Sequence, residues 1–98
     1  MKKKLHTIKI PHLNYVVVVE DKRKDDRPDS YAYTERVYDG ESRICIPLPV
    51  GRVRASRLLH EIIHVLQNIC HDRMIDFYEE AEHTAYIGDW LFQEIIKL

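Results

Sequence analysis

The chain has 98 residues, of which 45% are apolar and 32% charged, and 15 Lys and Arg stand against 16 Asp and Glu. That balance suits one compact domain over residues 1–98 and excludes both a strongly basic nucleic-acid binder and an acidic disordered chain. The longest aliphatic run is the four valines at 16–19, far short of a membrane span, and no apolar stretch of signal-peptide length follows the basic start. The expectation is a cytoplasmic protein with neither membrane nor nucleic acid as partner.

Residues 7–19 read as a first strand, broken near Pro11, and the valine run suits a strand covered on both faces. The mixed-sign cluster at 20–29, around Pro28, reads as a solvated turn. Residues 30–38 read as a second strand. Tyr31, Tyr33, Glu35 and Val37 take one side, and Ala32, Thr34, Arg36 and Tyr38 the other. Asp39-Gly40 is a two-residue hairpin signal leading into a third strand over 41–48. Pro47 and Pro49 donate no backbone hydrogen bond, so that strand ends there or lies at an edge. Cys45 and Cys70 have no CxxC spacing and read as reduced, buried thiols.

After Gly51 the apolar period changes from two to 3.6. A first helix is predicted over residues 53–71, with Leu59, Ile62, Ile63, Leu66, Ile69 and Cys70 as its buried stripe. Asp76, with Glu79 three residues on, forms a capping-box pattern for a second helix reaching residue 97. Its predicted core stripe is Ala81, Ala85, Gly88, Phe92 and Ile95, and Trp90 is also expected in the core. The fold class is therefore α+β: a small antiparallel three-stranded sheet packed on the first helix, followed by a second, Glu-bearing C-terminal helix.

The first helix carries His60-Glu61-Ile62-Ile63-His64, an HExxH pattern. Residues i and i+4 stack on one helix face, so two imidazoles there can hold one metal ion from the same side. Zinc lowers the pKa of a water it binds, and Glu61 is placed to accept the proton. A catalytic zinc normally takes three protein ligands. His71 shares the face of His64 but lies about 10 Å further along the axis. The second helix offers Glu79, Glu80, Glu82 and His83. Glu82, one turn inside that helix, is the first choice, because a ligand must be held rigidly.

The segments HEIIHVLQNI and EHTAYIGDWLFQEI together resemble the small metallopeptidases encoded by phages and prophages, which carry HExxH on one helix and a Glu in an E-x-x-A-Y-x-x-G segment on the next. The likeness covers residues 58–96. It implies a minimal gluzincin with His60, His64 and Glu82 as zinc ligands. Longer gluzincins place an acidic residue four positions after the ligand Glu, where this chain has Tyr86, leaving Asp89 or Asp72 to orient a zinc histidine. A second likeness, to anti-repressor peptidases that cut phage repressors, carries an E-A pattern that selects Glu80 instead.

Around this motif, Tyr86, and behind it Tyr78, can offer a hydroxyl to a tetrahedral oxyanion. Arg57 stands one turn before His60, where it can meet a substrate carboxylate. Residues 44–48, leading into the helix, are the expected edge that holds a peptide or protein substrate as an added strand. The reading is zinc-dependent peptide-bond hydrolysis with Glu61 as general base. Its rival is a catalytically silent zinc-binding interaction module of phage or prophage origin.

Overall fold

The computed structural model describes residues 5–21 and 32–98. Four strands precede two helices: β1 Leu5–Ile10, β2 Tyr15–Asp21, β3 Tyr33–Tyr38, β4 Glu41–Ile46, α1 Ala55–Arg73 and α2 Ala81–Ile96. The strands form one sheet in the order β1-β2-β4-β3. The two outer pairs are antiparallel, and the central pair, β2 with β4, is parallel.

This corrects the expected three-stranded antiparallel sheet: the sheet is four-stranded and mixed. The predicted strand over 7–19 is two strands, because the chain reverses over residues 11–14. His12 and Asn14 take positive φ angles of 67° and 48° there, so the reversal is built without glycine. Asp39-Gly40 does make the predicted hairpin, with Gly40 at φ 91°. A β-carbon at Gly40 would sit 2.9 Å from Arg73 Nη2, so close approach as well as backbone angle demands glycine there. Strand β4 ends at Ile46, just before the first proline. It is an interior strand, so residues 44–48 are not the edge; among the described residues the edges are β1 and β3. Of the charged cluster at 20–29, Glu20 and Asp21 belong to β2, and Glu20 is buried; the rest lies outside the described residues.

Both helices pack on one face of the sheet. Tyr15, Val17 and Val19 of β2 and Ile44 and Ile46 of β4 meet Leu58, Ile62, Val65 and Ile69 of α1 and Ile87, Leu91 and Ile95 of α2 in a single core. At about 25 cal/mol per Å² of apolar area removed from water, this layer is the main stabilising term. Of the predicted α1 stripe Ile62, Leu66, Ile69 and Cys70 are buried, but the buried face is turned away from Leu59 and Ile63, and of the predicted α2 stripe only Ile95 is fully buried. Leu59 is 54% exposed and Ile63 40% exposed, while Leu58, Glu61 and Val65 face the sheet. In α2 the buried positions are Thr84, Ile87, Leu91 and Ile95, whereas Ala81, Ala85 and Phe92 are exposed. Trp90 packs at the margin of the core. Cys45 and Cys70 are buried free thiols. Burial pushes the Cys70 thiol up from its ordinary pKa, against a hydrogen bond with Thr84.

The second helix begins at Ala81 rather than residue 76. Asp76 Oδ1 accepts from the Tyr78 and Glu79 amides at 3.0 and 2.8 Å, and Glu80, not Glu79, reaches back to the Asp76 amide at 3.1 Å. The cap is real, but it closes an isolated turn. Glu80, at φ −111° and ψ 45°, breaks that turn from the helix.

Two charged clamps fasten the C-terminal turn of α1 to the sheet. Arg36 on β3 gives its Nε and Nη2 to Asp72 Oδ1 at 2.8 and 2.7 Å, and the Gly40 amide donates to Asp72 Oδ2 at 3.3 Å. Burial pushes the Asp72 carboxyl up, but the Arg36 and Gly40 donors outweigh it and hold it below the usual carboxylate range. Arg73 donates to the Leu13 and Asn14 carbonyls at 2.7 Å each and to Asp39 Oδ1 at 3.0 Å, with its guanidinium 5.5 Å from the Tyr15 ring centre. One side chain thus gathers both hairpin tips, which lie at the same end because β2 and β4 run parallel.

Candidate functional site

His60 and His64 stand on the exposed face of α1, one turn apart. Their Nε2 atoms are 3.0 Å apart and their rings meet edge to face with centroids 4.5 Å apart. Two nitrogens held by one tetrahedral zinc at about 2.0–2.1 Å stand roughly 3.4 Å apart. The observed spacing, set by a hydrogen bond between the two rings, is within about 0.4 Å of that value. His64 Nδ1 lies 3.2 Å from Gln67 Oε1. Donation across that contact puts the His64 proton on Nδ1 and leaves the Nε2 lone pair for a metal.

Glu61 lies one residue on and so is rotated about 100° around the helix, away from the histidines and toward β3. It is only 2% exposed. Thr34 on β3 donates its hydroxyl to Glu61 Oε1 at 2.8 Å, and Thr34 Oγ1 also lies 3.3 Å from the Glu61 carbonyl oxygen. Arg57 Nη1 lies 3.4 Å from Glu61 Oε2. Arg57, expected to face a substrate carboxylate, is paired with Glu61 instead. A buried carboxylate needs such donors, since burial without them costs several kcal/mol.

The other sequence-predicted residues are not gathered around the histidines. Cys70 of α1 hydrogen-bonds Thr84 of α2, and a β-carbon at Gly88 would touch Leu66 at 3.1 Å. The helices are thus antiparallel, and each step down α1 meets an equal step up α2. On that register Glu82 is level with Asp72, while His64 is level with Trp90, roughly 12 Å away along the axis. Glu82 is exposed in the first turn of α2. Among the described residues no three His, Cys, Asp or Glu side chains form a metal-holding group. Two of the three positions of a catalytic zinc set fit, and the third carboxylate is not beside them in this arrangement.

Tyr86 lines a groove of about 330 Å³ with Ile10, Pro11, His12, His83, Ile87 and Trp90, between α2 and the turn after β1 and apart from the two histidines. His83 Nδ1 is 3.7 Å from Glu80 Oε1, and Tyr78 is exposed in the link between the helices. Sequence reasoning did not single out Thr34 or Gln67. Strand alternation grouped Thr34 with Ala32 and Arg36, but finding its role requires knowing that β3 is the strand beside Glu61. Gln67 lies at i+3 from His64, a spacing that was available in the sequence. No helix among the described residues is long and apolar enough to cross a membrane. No family model, curated protein or solved structure matches the chain.

Proposed function

We propose that the protein hydrolyses peptide bonds in a peptide or protein substrate, with zinc held by His60 and His64 and with Glu82 as the third ligand, which requires α2 to shift along α1 from its place in this structure when the metal binds. The supporting observation is one constellation: two Nε2 atoms 3.0 Å apart, with the Glu61 carboxylate on the adjoining face tied at 2.8 Å to β3. Zinc bound there supplies a Lewis acid that makes water a better nucleophile near neutral pH. Glu61 takes a proton from the attacking water as its oxygen bonds to the scissile carbonyl carbon. It then passes that proton to the nitrogen, so that the C–N bond breaks to give an amine and a carboxylic acid, which ionises by giving its proton to the amine or to solvent. Strand β3, adjoining Glu61 and open on one side among the described residues, takes the place of residues 44–48 as the edge to which an extended substrate adds.

The test is zinc content and peptide cleavage measured together. Wild type supplied with zinc is expected to retain about one ion per chain, as a mononuclear site requires, and to cleave a peptide library. Glu61→Gln keeps the zinc and loses cleavage, since an amide accepts no proton. His60→Ala loses both. A Glu61→Gln protein as active as wild type would refute the mechanism. The register that sets Glu82 level with Asp72 favours a second reading, a zinc-holding interaction module without catalysis. Zinc bound by the wild type with no cleavage of any peptide would select it.

A further inference from the structure

We infer that Thr34 is a positioning residue for Glu61. Its hydroxyl, carried on β3, fixes the rotamer of the Glu61 carboxylate on the helix face adjoining the two histidines. This rests on the hydrolase reading. A glutamate side chain turns about three bonds, and a base that wanders among rotamers spends little time in reach of its proton. Two donors limit that freedom here. Arg57 approaches Oε2 from the same helix at 3.4 Å, the longer of the two contacts. Thr34 holds Oε1 at the shorter distance of 2.8 Å from a different element.

That element is itself anchored. Thr34 pairs in register with Ile44, a fully buried residue of the interior strand β4. Two residues on, Arg36 binds Asp72 at the far end of α1 at 2.7 and 2.8 Å. The position of the Glu61 carboxylate is therefore set by the sheet as well as by its own helix. Because β3 is also the proposed substrate edge, one strand would fix both the incoming backbone and the base that serves it.

The test compares Thr34→Val with Thr34→Ser. Valine keeps the β-branched shape and removes the donor, while serine keeps the donor. Thr34→Val is expected to lower kcat about 10- to 100-fold, the usual effect of removing an outer hydrogen-bond partner. KM and zinc content should stay near wild type, Tm should fall because the buried carboxylate loses a donor, and Thr34→Ser should restore most of kcat and of Tm. In a Glu61→Gln background Thr34→Val should change nothing further, because the two act as one unit. A readout independent of turnover is the side-chain carboxyl resonance of 13C-labelled Glu61. It should shift in Thr34→Val and return in Thr34→Ser. An unmoved resonance, or a loss of kcat that serine does not rescue, overturns the inference. If the resonance behaves as expected but the wild type cleaves nothing, the positioning contact stands and the hydrolase reading falls.

Discussion

Replacing Arg73 with alanine tests whether the end of α1 holds the two hairpins together. The side chain gives two charge-assisted bonds to carbonyls, at 2.7 Å to Leu13 and 2.7 Å to Asn14. Each such bond is worth about 1.5 kcal/mol at the lower end of its range, which applies because water reaches both turns once the arginine is gone. The ion pair with Asp39, whose side chain is largely exposed, adds about 0–1 kcal/mol. The guanidinium over Tyr15 adds about 0.5–1 kcal/mol. The sum is roughly 3.5–5 kcal/mol before the loss of additivity, and about 3 kcal/mol is expected. For a domain of this length that lowers Tm by roughly 10–20 °C. Urea unfolding followed by circular dichroism, with calorimetry in parallel, measures it. Arg73→Lys, which keeps the charge and loses the fork, should recover only part. A change within about 0.5 kcal/mol of wild type, the range of ordinary surface substitutions, would refute the clamp.

Asp72→Asn tests the neighbouring contact. Because the folded carboxyl titrates below its ordinary value, its contribution is complete above about pH 4 and is lost as pH falls through the folded value. The variant should be about 1–2 kcal/mol less stable at neutral pH, discounted for the half-exposed Arg36, and the gap to wild type should close in acid. A gap that persists unchanged to about pH 2 would rule out this linkage. Glu82→Ala should weaken zinc binding steeply in a competition titration with a chromophoric chelator, while Glu79→Ala and Glu80→Ala leave it unchanged. Equal affinities for all three would move the third ligand elsewhere and leave the histidine pair standing.

The motif helix was legible because its signal is local. His60, Glu61 and His64 lie within one and a half turns, and nothing outside α1 is needed to bring them together. The Asp39-Gly40 hairpin was legible for the same reason. The sheet was not, because its central pair joins Val16 to Glu41 and Val19 to Ile44, and parallel pairing leaves no turn signature. The reversal at His12 and Asn14 was hidden because left-handed residues other than glycine carry little sequence signal. The α1 phase was legible in part, since Ile62, Leu66, Ile69 and Cys70 are buried as read, and its misses have a more specific reason. Leu59 and Ile63 make the apolar arc of α1 wider than its buried face. Glu61, being polar, was not counted as a residue that points inward. The residue that looks least like core in that helix is among its most buried.

An open edge strand invites any other strand, including β3 of a second copy, and such edges lead to aggregation unless something limits them. Here the limits are visible in β3 itself. Its register against β4 slips between Arg36 and Tyr38, so that Tyr38 rather than Val37 pairs with Glu41. Glu35 and Arg36 add charges of opposite sign within the half that remains regular. A strand joining this edge therefore finds orderly partners only over residues 33–36. That is long enough to hold a short extended segment beside Thr34 and too short to seed a continuous ladder between copies. The distortion that shortens the edge open to an added strand thus also limits pairing between copies.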